Sequence, residues 1–210
     1  MYWRGVIYAR LFLTMLPRLI IGFSDATSLF SALRQRGHQN LIHGPMVQFL
    51  ADETDEESKQ SLHALLRNSP GRHLIGEHLC GPKTTVRAPL IGGNLSVLAS
   101  LAGTPWAHGR RDAIVLFEDV SEHAYRMDRT ITQLCNSGFF DGVKGIVLGE
   151  FTRCILPAGA DFHLDEMFCN LLSPLNVPVI KNIGVGHGIR NMSWKVGEQV
   201  TMHDGALHFS

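Results

Sequence analysis

Four short apolar runs, "PRLIIGF", "AIVLFED", "VKGIVLGEF" and "VPVIKNIGVG", constrain this chain more than any other feature. Each is rich in β-branched residues and ends in glycine or charge, without polar alternation. That pattern fits strands buried on both faces, as in a parallel sheet. The stretches between them carry helical spacing: Leu29, Ala32 and Leu33 within Thr27 to Arg36, stopped by Gly37, and Met127, Ile131, Leu134 and Cys135 within a helix from about Glu122 to Asn136. "LDEMFCNLLS" reads as a further helix. Strands alternating with helices predict an α/β fold.

The remaining segments refine this outline. "NLIHGPMV" reads as a strand ending in a turn at Gly44-Pro45, and its His43 as structural. "ADETDEES" places Thr54 and Glu57 at capping-box spacing, the solvated first turn of a helix through Leu62, Leu65 and Leu66. "RNSPGRHLIGEHLCGPKTTVRAP" shows no helical period and many breakers, so a domain boundary is placed there, dividing residues 1–72 from 73–210. "PLIGGNLSVLASLAGTPW" reads as a strand, a Gly-Gly turn and a helix. Asp204-Gly205 lies between two alternating runs and predicts a hairpin.

With 210 residues, 45% of them hydrophobic, the chain can bury a real core. Lys plus Arg equals Asp plus Glu at 19 each, so no basic surplus draws it to nucleic acid or an anionic membrane surface. The four cysteines form no CxxC and fit core thiols in a reducing compartment. The apolar N-terminal stretch is interrupted by Arg4, Arg10 and Arg18, which fits buried structure better than a leader or a membrane span. No histidine or cysteine spacing suggests a metal site, and no cofactor is expected.

Three positions invite chemistry. Ser24 follows a strand and precedes a helix, with Gly22 before it and Ala26 where a G-x-S-x-G elbow has its second glycine. Read locally, the stretch favours Ser24 or Asp25 as no more than a cap of the helix beginning near Thr27. Glu118 closes a buried strand, where α/β folds collect functional groups, and also suits a capping or ion-pairing acid. His187 lies between Gly186 and Gly188 in a loop where backbone can approach a ligand closely. Their order, Ser, Glu, His, is that of α/β-hydrolase triads.

Taken together, "LIIGFSDATSLFSAL", "IHGPM", "LIGGNLSVLASLAGTPW", "IVLFEDVSEHAYRMDRTITQL", "GIVLGEFTRC" and "VGHGIRN" resemble the L,D-carboxypeptidase family of serine peptidases, from about residue 19 to the C-terminus. That family includes cytoplasmic muramoyltetrapeptide carboxypeptidases and microcin C resistance peptidases. The resemblance implies Ser24 as nucleophile, Glu118 as triad acid and His187 as base, with the Asp25 backbone N–H in the oxyanion hole. It implies an N-terminal α/β domain carrying the serine, a C-terminal α/β domain carrying the acid and histidine, and a site between them. It further implies a cytoplasmic homodimer needing no metal. Its substrate is a small muropeptide-like chain with a C-terminal D-residue. The alternatives are a self-immunity peptidase acting on a peptide-nucleotide antibiotic and an inactive ligand-binding remnant. A cation should meet the substrate carboxylate, with Arg126, Arg129 and Arg190 as candidates and ion pairs such as Glu122 with Arg126 as their structural alternative. Asn94 is a further site-lining candidate.

Residues 1 to about 70 hold fewer elements than the family's N-terminal domain, so a truncated nucleophile domain is expected. Arg4-Gly5-Val6 stands where the family has an R-G-G-Y-G segment, making Gly5 the candidate second oxyanion donor.

Overall fold

The computed structural model describes residues 19–107 and 111–210. Its larger sheet has eight strands in the order β3-β11-β10-β5-β6-β7-β8-β4. These are β3 (His73–Ile75), β4 (Glu77–Cys80), β5 (Val86–Asn94), β6 (Ile114–Val120), β7 (Gly145–Thr152), β8 (Val179–Lys181), β10 (Gln199–His203) and β11 (Ala206–Phe209). The four central strands, β5 to β8, run parallel, and the flanking pairings are antiparallel. A second sheet joins β1 (Ile20–Gly22), β2 (Leu41–His43) and β9 (Trp194–Lys195), so a strand from the C-terminal segment extends the N-terminal sheet.

The apolar runs are buried on both faces along β6, most of β7 and the start of β8, as expected of parallel strands, whereas Ile20 and Ile21 of β1 are only half-buried. Along β6, Val115 and Phe117 pack toward α4 (Ala124–Asn136), with Met127, Ile131 and Leu134 in the same cluster. Ile114 and Leu116 belong to a second cluster, which also holds Phe30 and Leu33 of α1 (Ala26–Gln35) and Trp194. The remaining helices are α2 (Glu56–Leu66), α3 (Leu95–Ser100) and α5 (Leu164–Leu172). No described helix is long and apolar enough to cross a membrane. The Asp204-Gly205 hairpin forms as expected, both residues taking positive φ (45° and 80°).

Three local expectations are corrected. The segment read as boundary loop contributes β3, β4 and the start of β5. Short edge strands carry too few residues to show a period. Gly92 and Gly93 make no turn but lie inside β5, because a Cβ on Gly92 would overlap the Leu116 carbonyl and one on Gly93 would overlap the Thr27 side chain. The cap of α2 is Asp55, whose carboxylate accepts from the Ser58 N–H at 2.8 Å, in place of the Thr54–Glu57 box. All four cysteines are free thiols.

Candidate active site

Ser24 sits between β1 and α1 with φ 58°, a left-handed backbone that a non-glycine residue adopts only at a cost. The cap alternative is not realised: Asp25 occupies the N-cap position in right-handed helical conformation, without a side-chain cap bond. Asp25 thus opens the first turn of α1. Thr27, fully buried, accepts a 3.0 Å hydrogen bond from the Asn94 N–H, tying the start of α1 to the end of β5.

Glu118 is fully buried near the end of β6, opposite a bulge in β7. Phe117 pairs with Leu148 and Asp119 with Phe151, so Gly149 and Glu150 face Glu118 alone, and such a bulge re-aims side chains. Its Oε2 lies 2.6 Å from His187 Nδ1. Burial pushes the Glu118 carboxyl above its ordinary range, while the His187 bond pulls it back. The neighbouring Asp119 accepts from Asn94 Nδ2 (3.0 Å), from the Ser96 N–H (3.0 Å) and from Ser96 Oγ (2.7 Å). Asn94 also caps α3 through the Val97 N–H (3.1 Å). It is 4% exposed and braces β5, β6 and α3, and does not line the pocket beside His187.

The two glycines around His187 are explained by Glu150. A Cβ on Gly188 would overlap the Glu150 carboxylate, and one on Gly186 would press on Glu150 and Glu118. Burial raises the Glu150 carboxyl, with the nearby Arg190 charge opposing it. Sequence reasoning passed over this acid, although "VLGEF" repeats the strand-end signal that singled out Glu118.

The His187 loop is held by the start of α2. Ile189 accepts from the Asp55 N–H (2.9 Å), and the Asn191 N–H donates to the buried Ser58 Oγ (2.8 Å). Arg190 pairs with Asp55 at 3.1 Å and with Glu57 at 2.5 Å. Bonds from Ser58 and Arg190 outweigh a burial penalty and hold the Asp55 carboxyl below its ordinary range. The acidic cluster read as a solvated turn is therefore a clasp for the histidine loop. Arg190, a candidate for the substrate carboxylate, is occupied in that clasp.

Phe23, directly before Ser24, meets the His187 ring edge-on at 4.8 Å between centroids, bringing the serine turn beside the histidine loop. Among the described residues no hydrogen bond joins Ser24 to His187. A pocket of about 260 Å3 opens here, lined by Phe23, Phe49, Glu53, Arg153, His187 and Asn191 among others. Arg126 and Arg129 lie on α4, with Arg126 near Glu122 (3.8 Å) and both over the Tyr125 ring, away from this pocket. Gly5 falls outside the described residues. Among the described residues no three His, Cys, Asp or Glu side chains group so as to hold a metal ion.

Residues 87–202 match the family described as LD-carboxypeptidase C-terminal domain. The chain belongs to the LD-carboxypeptidase family. Its relatives include a murein tetrapeptide carboxypeptidase of Pseudomonas aeruginosa, 34% identical over 203 residues, which are 92% of this chain and 65% of that protein. The crystal structure of a muramoyltetrapeptide carboxypeptidase from Oxalobacter formigenes matches with TM-score 0.81 and 30% identity, over 91% of this chain and 67% of that one. A microcin C7 self-immunity protein, solved with aspartyl sulfamoyl adenosine, shares the fold (TM-score 0.77, 18% identity, 92% and 68% coverage). The chain spans 62% to 65% of the length of the first curated LD-carboxypeptidase relatives it matches.

Proposed function

We propose that this chain is a serine L,D-carboxypeptidase that removes the C-terminal D-amino acid from cytoplasmic murein tetrapeptides, converting them to tripeptides. The observation that carries the reading is the 2.6 Å bond from His187 Nδ1 to the fully buried Glu118, in the loop against which Phe23 packs. With Nδ1 engaged by the carboxylate, Nε2 is the nitrogen left to take a proton. His187 accepts the Ser24 hydroxyl proton as Oγ attacks the carbonyl carbon, and Glu118 fixes the imidazole tautomer and stabilises the imidazolium. The tetrahedral oxyanion is received by the Asp25 N–H, the residue after the nucleophile. His187 then returns the proton to the departing D-amino acid. Water, activated by the same histidine, hydrolyses the acyl-enzyme. No step calls on a metal or cofactor. A homodimer in the cytoplasm is the assembly and location this reading implies.

Incubation with a murein tetrapeptide tests it: D-alanine is released by the wild type, and Ser24→Ala lowers the rate on the order of 10⁴-fold or more. Absence of release by folded wild type rejects the reading. Faster cleavage of an aminoacyl-nucleotide than of the tetrapeptide transfers the same triad to the self-immunity alternative. Binding of the tetrapeptide without turnover by either substrate points to a ligand-binding role.

A further inference from the structure

The arginines that the sequence nominated for the substrate carboxylate lie elsewhere or are engaged, yet the pocket beside His187 has a cation of its own. Arg153 directly follows β7 and lines the pocket together with His187, Phe23, Phe49 and Glu53. No ion pair engages it among the described residues. Its only described polar bond is from Nε to Ser121 Oγ at 3.4 Å, which leaves the two terminal nitrogens of the guanidinium for a ligand.

The backbone around it is specialised. Arg153 has φ 54° and Ser121, across the ends of β6 and β7, has φ 58°. The Ser121 N–H donates to Thr152 at 2.9 Å, so the two left-handed turns are fixed against each other by main chain. Left-handed backbone at non-glycine residues costs free energy and gathers at ligand sites. Asn191, 3% exposed, lines the same pocket, and its buried Oδ1, without a hydrogen-bond partner among the described residues, can accept from a donor such as a substrate N–H but not from the carboxylate itself.

We propose that Arg153 binds the free C-terminal carboxylate of the substrate and so makes this chain an exopeptidase. The inference rests on the peptidase reading and adds to it the group that selects a chain end. Arg153 is solvent-exposed, its guanidinium fork matches a carboxylate in two parallel N–H···O bonds, and Phe23 and Phe49 line the same pocket. An internal peptide bond, or an amidated terminus, presents no charge there and loses that pair.

Two substrates, a tetrapeptide ending in D-alanine and the same peptide ending in D-alanine amide, test this with wild type, Arg153→Gln and Arg153→Lys. Wild type should prefer the acid by about 10- to 100-fold in kcat/KM, mostly through KM. Arg153→Gln should lose that preference and cleave both at the wild-type amide rate within a few-fold, while Arg153→Lys keeps part of it. An unchanged acid preference in Arg153→Gln overturns the assignment while leaving the peptidase intact. If folded wild type cleaves neither peptide, the peptidase reading fails and takes the assignment with it.

Discussion

His43 sits inside the protein with both ring nitrogens lacking a partner among the described residues, its ring stacked on Trp194 at 5.3 Å. Burial, and secondarily the charge of His187, lower its pKa from 6.5 to about 3. The folded state thus disfavours the charged ring that the unfolded chain forms below pH 6.5. The sign follows: stability is fully present above pH 6.5 and is lost progressively as pH falls toward 3. We expect wild type to lose up to about 1.4 kcal/mol more unfolding free energy per pH unit than His43→Phe between pH 6 and 4. Denaturant titrations of both proteins across that range check it, with titrating groups that do not interact with His43 cancelling in the difference. Parallel pH dependences contradict it. From sequence, His43 reads as structural, and nothing in "LIHGPM" announces a ring buried without partners. The local sequence around Ser24 favours a cap, since cap and elbow share the same residues and only φ and the missing cap bond separate them.

At the level of elements, the central strands β6 and β7 are legible because burial on both faces leaves continuous apolar runs, and the long helices because their buried stripes repeat, while the short edge strands β3 and β4 are not. What stayed hidden was long-range pairing. The acidic start of α2 looks like solvent-facing charge until the loop after β8 is brought onto it, 135 residues away between Asp55 and Arg190. Ser58→Ala removes the acceptor of the buried Asn191 N–H and should destabilise the protein by about 1–3 kcal/mol. It should also speed amide exchange across residues 189–193. Lys59→Ala, which breaks only an exposed pair with Glu56, should change neither. Hydrogen exchange and denaturation read both variants together, and wild-type protection at Asn191 in Ser58→Ala contradicts the clasp.

Across the whole molecule, the candidate groups come from distant stretches and lie just after the C-terminal ends of strands or on them: Ser24 between β1 and α1, Glu118 and Glu150 near the ends of β6 and β7, and His187 in the loop after β8. The packing of α1 on the large sheet brings the serine segment there. The family resemblance named the three residues, but their mutual placement is a property of tertiary structure. If Ser24, His187 and Glu118 act as one nucleophilic unit, a serine-directed phosphonate reads it out. Wild type should be modified at a single position, Ser24, as read by peptide mass spectrometry, with labelling slowed at least about 10³-fold in His187→Ala. Folded wild type that stays unlabelled, or that labels at another residue, contradicts it.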